Sequence, residues 1–598
     1  MSLLLWLACT GEVGKPAASA ADGLLNQGLL NPFPQAGLMS EGRISIPEGL
    51  LPVPEGGTPF DVARLGWRSG FSTVQSSVID LGVALDPASL NDQLRLGVDG
   101  AVQIWDLDTG SQVPCMAELD AWPELAAGEK QALIIRPVAP MTPGHRVAVV
   151  LTPAVLLADG SPLTVLAWAE AQARDPHWAE LSRSLSTIGV QDVVLAWDFP
   201  IGDGTAPLRE MVAAQGPAGP WTFTDIDDVD ENPDVLPDGL WRRLLGTYTT
   251  DSWLIDDQSE ELDGVPEPQG SAEAELWVYV PESARGRQDA PVLVFGHGIL
   301  ADPRRYWESD TDESGVIDVA NRLGAVVVAT TWRGLTTDDL LSAVEVAGDF
   351  GRFHELTDRM RQGVLNTLGL IHLVADGGLL DDPAIGAGAD TSRIYYYGIS
   401  LGAIEGSVTL ALQDTVEYAV MHVGGAAWST MLERSSNWPA FEARVAMTLP
   451  SAWDRQLLYA ASQLYWDAVD PASYVEDLQG RSFVWQEAIG DNQVPNITTE
   501  LLMRGVGAPL ATPEVQLPAL IDTVTLPSQG PVWVQFDPEL GAPDPVNRPA
   551  SNTGAHDLPR MWEGTKAQTA GFFESGAEGW VTHYCGAGPC TASATGAP

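Results

Sequence analysis

Positive charge is scarce in this chain. Against 80 Asp and Glu stand only 31 Lys and Arg, a formal net charge of -49. A surface of that sign repels nucleic acid and anionic membranes, so neither is expected as a partner, and the acidity reads as a solubility adaptation. Cysteine is scarce too, with four residues at 9, 115, 585 and 590. Cys585 and Cys590 bracket a short CGAGPC loop, and no second cysteine or histidine pair at zinc spacing accompanies them. That excludes the usual closed zinc site and favours a disulfide, which an exported protein permits. Beyond the N-terminus no segment has the roughly 18 uncharged apolar residues needed to cross a bilayer, so the body is expected to be soluble. Internal repeats and long low-complexity tracts are also missing.

What is present suits a globular protein of two or three units: 598 residues, 45% hydrophobic and 19% charged. The first residues, MSLLLWLA, stop at Cys9 and give way to a small and polar run. This resembles the tail of a bacterial lipoprotein signal, so residues 1–22 are expected to be a leader and tether, with Cys9 a possible lipid anchor and the protein exported. From about Asn31 to Ile201, short β-rich runs lie between Gly, Pro, Asp and Asn, among them Gln103 to Leu107, Ala132 to Arg136 and His145 to Thr152. With a helical stretch at Trp168 to Ser186 and a strand at Asp192 to Phe199, residues 23–215 read as a β-sandwich domain. The run DIDDVDENPDVLPD, Asp225 to Asp238, combines like charges with proline, so residues 216–238 are expected to be an acidic linker. Its Asp225, Asp227 and Asp230 spacing invites calcium but lacks the glycine and distal glutamate of a calcium loop.

Residues 239–598 alternate strands and helices, the pattern of a mostly parallel sheet with helices on both faces. Strands are expected at Ala274 to Val280, Val292 to Phe295, Ala325 to Thr331, Arg393 to Tyr397, Tyr418 to Val423, Phe483 to Ala488 and Val532 to Phe536. A helix is expected over Thr357 to Ala375. Residues 425–481, rich in helix formers and aromatics, read as a cap. Trp438, Trp453, Tyr465 and Trp466 there are candidates to line an acyl pocket, against the plainer reading that they form the cap's own core.

The strongest local signal is Gly398-Ile399-Ser400-Leu401-Gly402, directly after a strand and before the helix-compatible run Ala403 to Leu412. A serine hydroxyl attacks a carbonyl only when held exposed beside a base, and a sharp strand-to-helix turn does this. Upstream, FGHGIL (295–300) follows a buried strand. Together these nominate Ser400 as nucleophile and the backbone N–H groups of Ile299 and Leu401 as an oxyanion hole. His297 precedes the nucleophile, against the order Ser, acid, His of this fold, and is read as shaping its loop. The acid is expected to be Asp491 in GDNQVPN, with Glu487 and Asp537 as fallbacks. Of the eight histidines only His556 and His583 follow it, and His556 sits in a loop after the last expected strand. His556 is therefore the candidate base, and His583, next to the cysteine pair, is read as structural. A second calcium-like pattern, Asp310 to Ile317, has Asn321 where the closing glutamate would be, which favours a polar turn.

Several segments carry a family likeness: LDPASLND, DLDTGSQVP, ALIIRPVAPMTPGHRVAVVLT and VLAWDFP in the first half, then FGHGIL, RQGVLNTLGL, YYGISLGAIEG, LERSSNW, GDNQVPN and the His556 loop. On these the chain resembles bacterial exported α/β-hydrolases whose N-terminal, Ig-like module is like that of the bacterial virulence-factor lipases. Ala403 stands where the commoner elbow has a second glycine. The resemblance implies an α/β-hydrolase fold behind an Ig-like domain and esterase or lipase activity, with an ester as substrate and no metal or organic cofactor. Polyester or peptide cleavage by the same triad, or a silent surface protein that binds a partner, are the alternatives; acyl specificity and oligomeric state are not legible.

Overall fold

In the second half, runs such as Val326–Ala329 (VVVA) and Ala290–Gly296 (APVLVFG) are apolar without alternation, as strands covered on both faces must be. The computed structural model describes residues 32–90, 100–121, 131–165, 167–255, 267–308, 315–376 and 378–595. Among them, twelve strands form one sheet. They are β1 (Trp221–Asp228), β2 (Leu240–Ser252), β3 (Gly270–Pro281), β4 (Ala290–Gly296), β5 (Val326–Ala329), β6 (Ala389–Ile399), β7 (Tyr418–His422), β8 (Ser482–Ala488), β9 (Leu510–Thr512), β10 (Thr523–Thr525), β11 (Val532–Asp537) and β12 (Cys590–Thr591). Their spatial order is β1-β2-β3-β5-β4-β6-β7-β8-β11-β9-β10, with β12 beside β11. Pairing is antiparallel from β1 through β3 to β5 and parallel from there on. Every strand expected in this half is present, in a mixed sheet with helices.

The helices that matter below are α1 (Val316–Leu323), α2 (Leu340–Gly348), α3 (Phe353–Ala375), α4 (Leu401–Ala411), α5 (Trp428–Arg434), α6 (Pro439–Thr448), α7 (Ala452–Trp466), α8 (Asn496–Val506) and α9 (Glu563–Glu574). Helix α3 starts four residues before its expected limit. Helices α5, α6 and α7 fill the insert between β7 and β8, where the cap was expected.

Besides a short antiparallel pair, Met39–Ser40 with Arg43–Ile44, the first half carries two larger antiparallel sheets: Ser77–Ile79, Leu133–Pro137 and Cys115–Leu119 in one, and Gln112–Val113, Val102–Asp106, Arg146–Leu151 and Leu195–Pro200 in the other. The single helix expected over Trp168 to Ser186 is two, Ala167–Arg174 and Pro176–Thr187. Pro176 has no N–H to continue a helix, and Asp175 caps the second one through His177 N.

The expectation of a linker over 216–238 fails in part. Trp221–Asp228 is a paired edge strand, because its acids meet arginines of β2 that the linear sequence places elsewhere. Arg243 pairs with Asp225, Asp227 and Glu308, and Arg242 with Asp228. Asp230 pairs with Arg285. These ion pairs occupy the carboxylates of the first calcium hypothesis. Of the second, Asp310 to Ile317, residues 310–314 lie outside those described, and Asn321 at its twelfth position bonds Gly239 O and Ile317 O. Strand β2 itself was not anticipated, since its LWRRLLGTYTTDS lacks clean alternation. A bulge in β1 between Phe223 and Asp225 presses on Gly246, where any Cβ would collide with Thr222 O.

The Cys585–Cys590 disulfide is formed, with Cα atoms 5.1 Å apart. No described helix is long and apolar enough to cross a membrane.

Arg243 therefore couples β2 to three acids, and Arg243→Met should lower unfolding stability by about 2 kcal/mol, less than for a deeply buried pair because Asp225 is half exposed. Urea midpoints at low and high salt check this: the loss should shrink in 1 M salt, and equal midpoints for variant and parent would refute it.

Candidate active site

Ser400 stands at the turn from β6 into α4 with φ 58° and ψ -118°, a conformation that L-residues rarely hold. The turn is forced from below. A Cβ on Gly402 would collide with Gly296 O, and one on Gly398 with Gly402 O, so only glycines allow β4, β6 and α4 to approach this closely. Ser400 N donates to His422 O at 2.9 Å, and Ser400 O accepts from Ala403 N (2.9 Å) and Ile404 N (3.1 Å). Backbone bonds on both sides thus hold the residue in place.

The loop after β4 comes up against it: a Cβ built on Gly298 would lie 3.4 Å from Ser400 Cβ. In that loop Gly298 N donates to the Tyr306 hydroxyl (3.1 Å) and Leu300 N to Leu335 O (2.8 Å), so the amides flanking Ile299 are committed. His297 is fully buried beneath it. Its Nδ1 lies 2.9 Å from Gly298 O, and its Nε2 accepts from Trp332 N at 3.0 Å. An Nε2 that accepts identifies the neutral ring with the proton on Nδ1, and burial pushes its pKa down to about 4. That ring shapes the loop, as its position before Ser400 suggested.

Asp491, 2% exposed, follows β8. Its Oδ1 accepts from Gln493 N (2.8 Å) and Val494 N (3.0 Å), while Oδ2 lies 2.6 Å from His556 Nδ1. The imidazole therefore donates to an oriented carboxylate, which leaves Nε2 as its other face. The two loops are also laced together: Asn492 Nδ2 donates to Thr553 Oγ1 (2.7 Å) and Gln493 Nε2 to Asp557 Oδ2 (3.3 Å). Of the expected residues, the structure joins Asp491 to His556 directly and sets Ser400, Leu401 and Ile299 around one cavity. No described hydrogen bond links Ser400 Oγ to the imidazole; such bonds often tighten only with substrate bound.

The fallback acids sit elsewhere. Glu487 accepts from Asn496, Trp533 and Gln535 side chains, and burial holds its carboxyl well above the usual range. Asp537 accepts Glu539 N in a turn. His583 Nε2 lies 2.9 Å from Gly588 O within the disulfide loop. His422, whose carbonyl holds Ser400, is buried with its Nδ1 3.0 Å from Gln486 Oε1, and burial pushes its pKa down to about 3.

The cavity beside Ser400, about 760 Å³ with its mouth included, is almost wholly apolar. Trp438 and Trp466 line it as anticipated; Trp453 and Tyr465 do not, and the Tyr465 hydroxyl instead donates to Asp61 O. The sequence reading missed Trp428, Met431 and Phe441 of the cap and the whole contribution of α2 and α3, such as Val346 and Phe353. Their spacing is that of any amphipathic helix, so nothing local marked them.

No protein-family model matches the chain, and no curated protein matches it. Solved structures similar to it include acetyl xylan esterase 1 from Thermoanaerobacterium sp., at 12% identity over 59% of this chain and 90% of that one, TM-score 0.35. An acetyl xylan esterase from Paenibacillus sp. R4 shares 13% identity over 54% of this chain and 84% of that one, TM-score 0.32. A Pyrobaculum calidifontis esterase shares 17% over 51% and 83%, TM-score 0.27. Scores this low transfer neither fold nor activity.

Because His297 and His422 are neutral in the folded chain, the unfolded chain binds more protons below about pH 6.5. Their contribution is complete above that pH and is lost as pH falls toward 4 and then 3; for His297 the full loss is about 3 kcal/mol. Urea unfolding between pH 7 and 4 should show a shallower decline in His297→Gln than in the parent, and parallel curves would refute the assignment.

Proposed function

We propose that the protein is a serine-dependent carboxylic ester hydrolase of the α/β-hydrolase class, working through an acyl-enzyme. The observation that carries this reading is the Asp491–His556 contact at 2.6 Å on two loops that follow β8 and β11, in a chain whose Ser400 sits at a left-handed turn between β6 and α4. Ser400 Oγ attacks the ester carbonyl and His556 Nε2 takes its proton, while Asp491 stabilises the imidazolium through Nδ1–H. The tetrahedral oxyanion is held by Leu401 N, at the start of α4, and by Ile299 N. Collapse expels the alcohol, which receives the proton from His556. A water activated by the same imidazole then releases the acid. No step calls for a metal or an organic cofactor.

An apolar cavity that begins at Ser400 suits an acyl group without polar substituents. The two larger antiparallel sheets of the first half support an Ig-like β-sandwich ahead of the hydrolase domain. The disulfide suits an oxidising compartment, and so the exported state expected from the leader, whose Cys9 lies outside the described residues.

A fluorophosphonate probe should label the intact protein, and Ser400→Ala should abolish both labelling and release of p-nitrophenol from short acyl esters. Asp491→Asn should keep the fold and lower kcat by about four orders of magnitude. Labelling that survives in Ser400→Ala would refute the assignment of the nucleophile, and turnover of an aminoacyl amide in preference to the ester would refute the reaction class.

A further inference from the structure

Two walls of the cavity beside Ser400 are supplied by α5, with Trp428, Met431 and Leu432, and by Trp466 at the end of α7. The two indoles stack, their ring centroids 4.7 Å apart and their planes 14° apart. Neither helix is free to choose its position, because each is held by a buried arginine from the first half of the chain.

Arg136, on the strand Leu133–Pro137, sends Nη1 to Thr430 Oγ1 (3.1 Å) and pairs through Nη2 with Glu433, both on α5. Its Nε donates to Glu118 at 2.8 Å, and Arg434 of α5 reaches back to both oxygens of Glu118 at 2.6 Å. Glu118 and Glu433 thus balance Arg136 and Arg434 in one buried cluster. Arg68, 0% exposed, pairs with Asp467 directly after α7 and donates from Nη1 to Leu464 O (2.9 Å). Ser72 Oγ donates to the other Asp467 oxygen. Apolar residues of similar volume would stabilise such an interior as well or better, so a retained buried cluster has fixed geometry as its best-attested use. Here the geometry it fixes is that of the cavity wall.

We infer that Arg136 and Arg68 are positioning residues for acyl specificity: by locking α5 and the end of α7, the first half of the chain sets the shape of the apolar pocket and hence the length of acyl group it accepts. This rests on the ester-hydrolase reading above. On this inference a short acyl group is held at the Ser400 end of the cavity, away from the indole pair. A longer apolar chain lies against Trp428, Met431 and Trp466, and any shift of α5 changes its fit.

The full-length double variant Arg136→Met/Glu433→Gln removes one charge of each sign and leaves Glu118 paired with Arg434. Its kcat/KM for p-nitrophenyl octanoate relative to acetate should fall by about tenfold, mainly through a higher KM for octanoate, with fluorophosphonate labelling of Ser400 within about twofold of the parent rate. Thr430→Val, which changes no charge, should shift the same ratio by about two- to threefold. An unchanged ratio in a double variant that still labels overturns the inference. Should the double variant not fold, an unchanged ratio in Thr430→Val overturns it equally. A parent protein that does not label overturns the hydrolase reading instead, and the inference falls with it.

Discussion

A single backbone contact governs the second half of the chain: the end of β4 touches the start of α4 at Gly296 and Gly402, with no room for a side chain between them. Because β4 and β6 are adjacent and parallel, this contact turns the chain sharply at Ser400 and forces its positive φ. The same proximity carries the loop after β4 over the turn, so that Gly298 and Ile299 arrive beside the serine. Ser400 and the candidate oxyanion amides are therefore products of one packing constraint, and the parallel sheet is what makes it rigid. Asp491 and His556 lie in loops after strands farther along the sheet, and these loops are tied by side-chain bonds that do not involve Ser400.

What could be read from the sequence was what short segments encode. The uninterrupted apolar runs of β4 and β5, the glycines around Ser400 and the position of His556 after β11 each announce themselves within about ten residues. Strand β1 was misread because its acids become compatible with pairing only when Arg242 and Arg243, outside the acidic run, come alongside. The pocket was half legible for the same reason. Aromatics in the cap could be nominated by density, but Trp453 and Tyr465 turn toward other partners while α2 and α3 contribute from a distance along the chain.

The scarcity of cations takes on a different meaning inside the molecule. Arg68, Arg136, Arg434 and Arg455 are all buried and all paired with carboxylates. Planar guanidinium groups, which keep their charge and bond in forks, are suited to such sites in a way that lysine is not. The acidic excess is therefore carried mainly by the surface, and these four arginines act as internal fasteners.

Those fasteners join residues remote in the chain: 399 positions separate Arg68 from Asp467, and 297 separate Arg136 from Glu433. During synthesis from the N-terminus these guanidinium groups emerge long before Asp467 and Glu433. The early half must therefore wait in solvent with its ionic groups hydrated, and the cap docks onto a surface already made. Excising the late half would strand Asp467 and Glu433 without those arginines, so the two halves are bound to a common fate in folding.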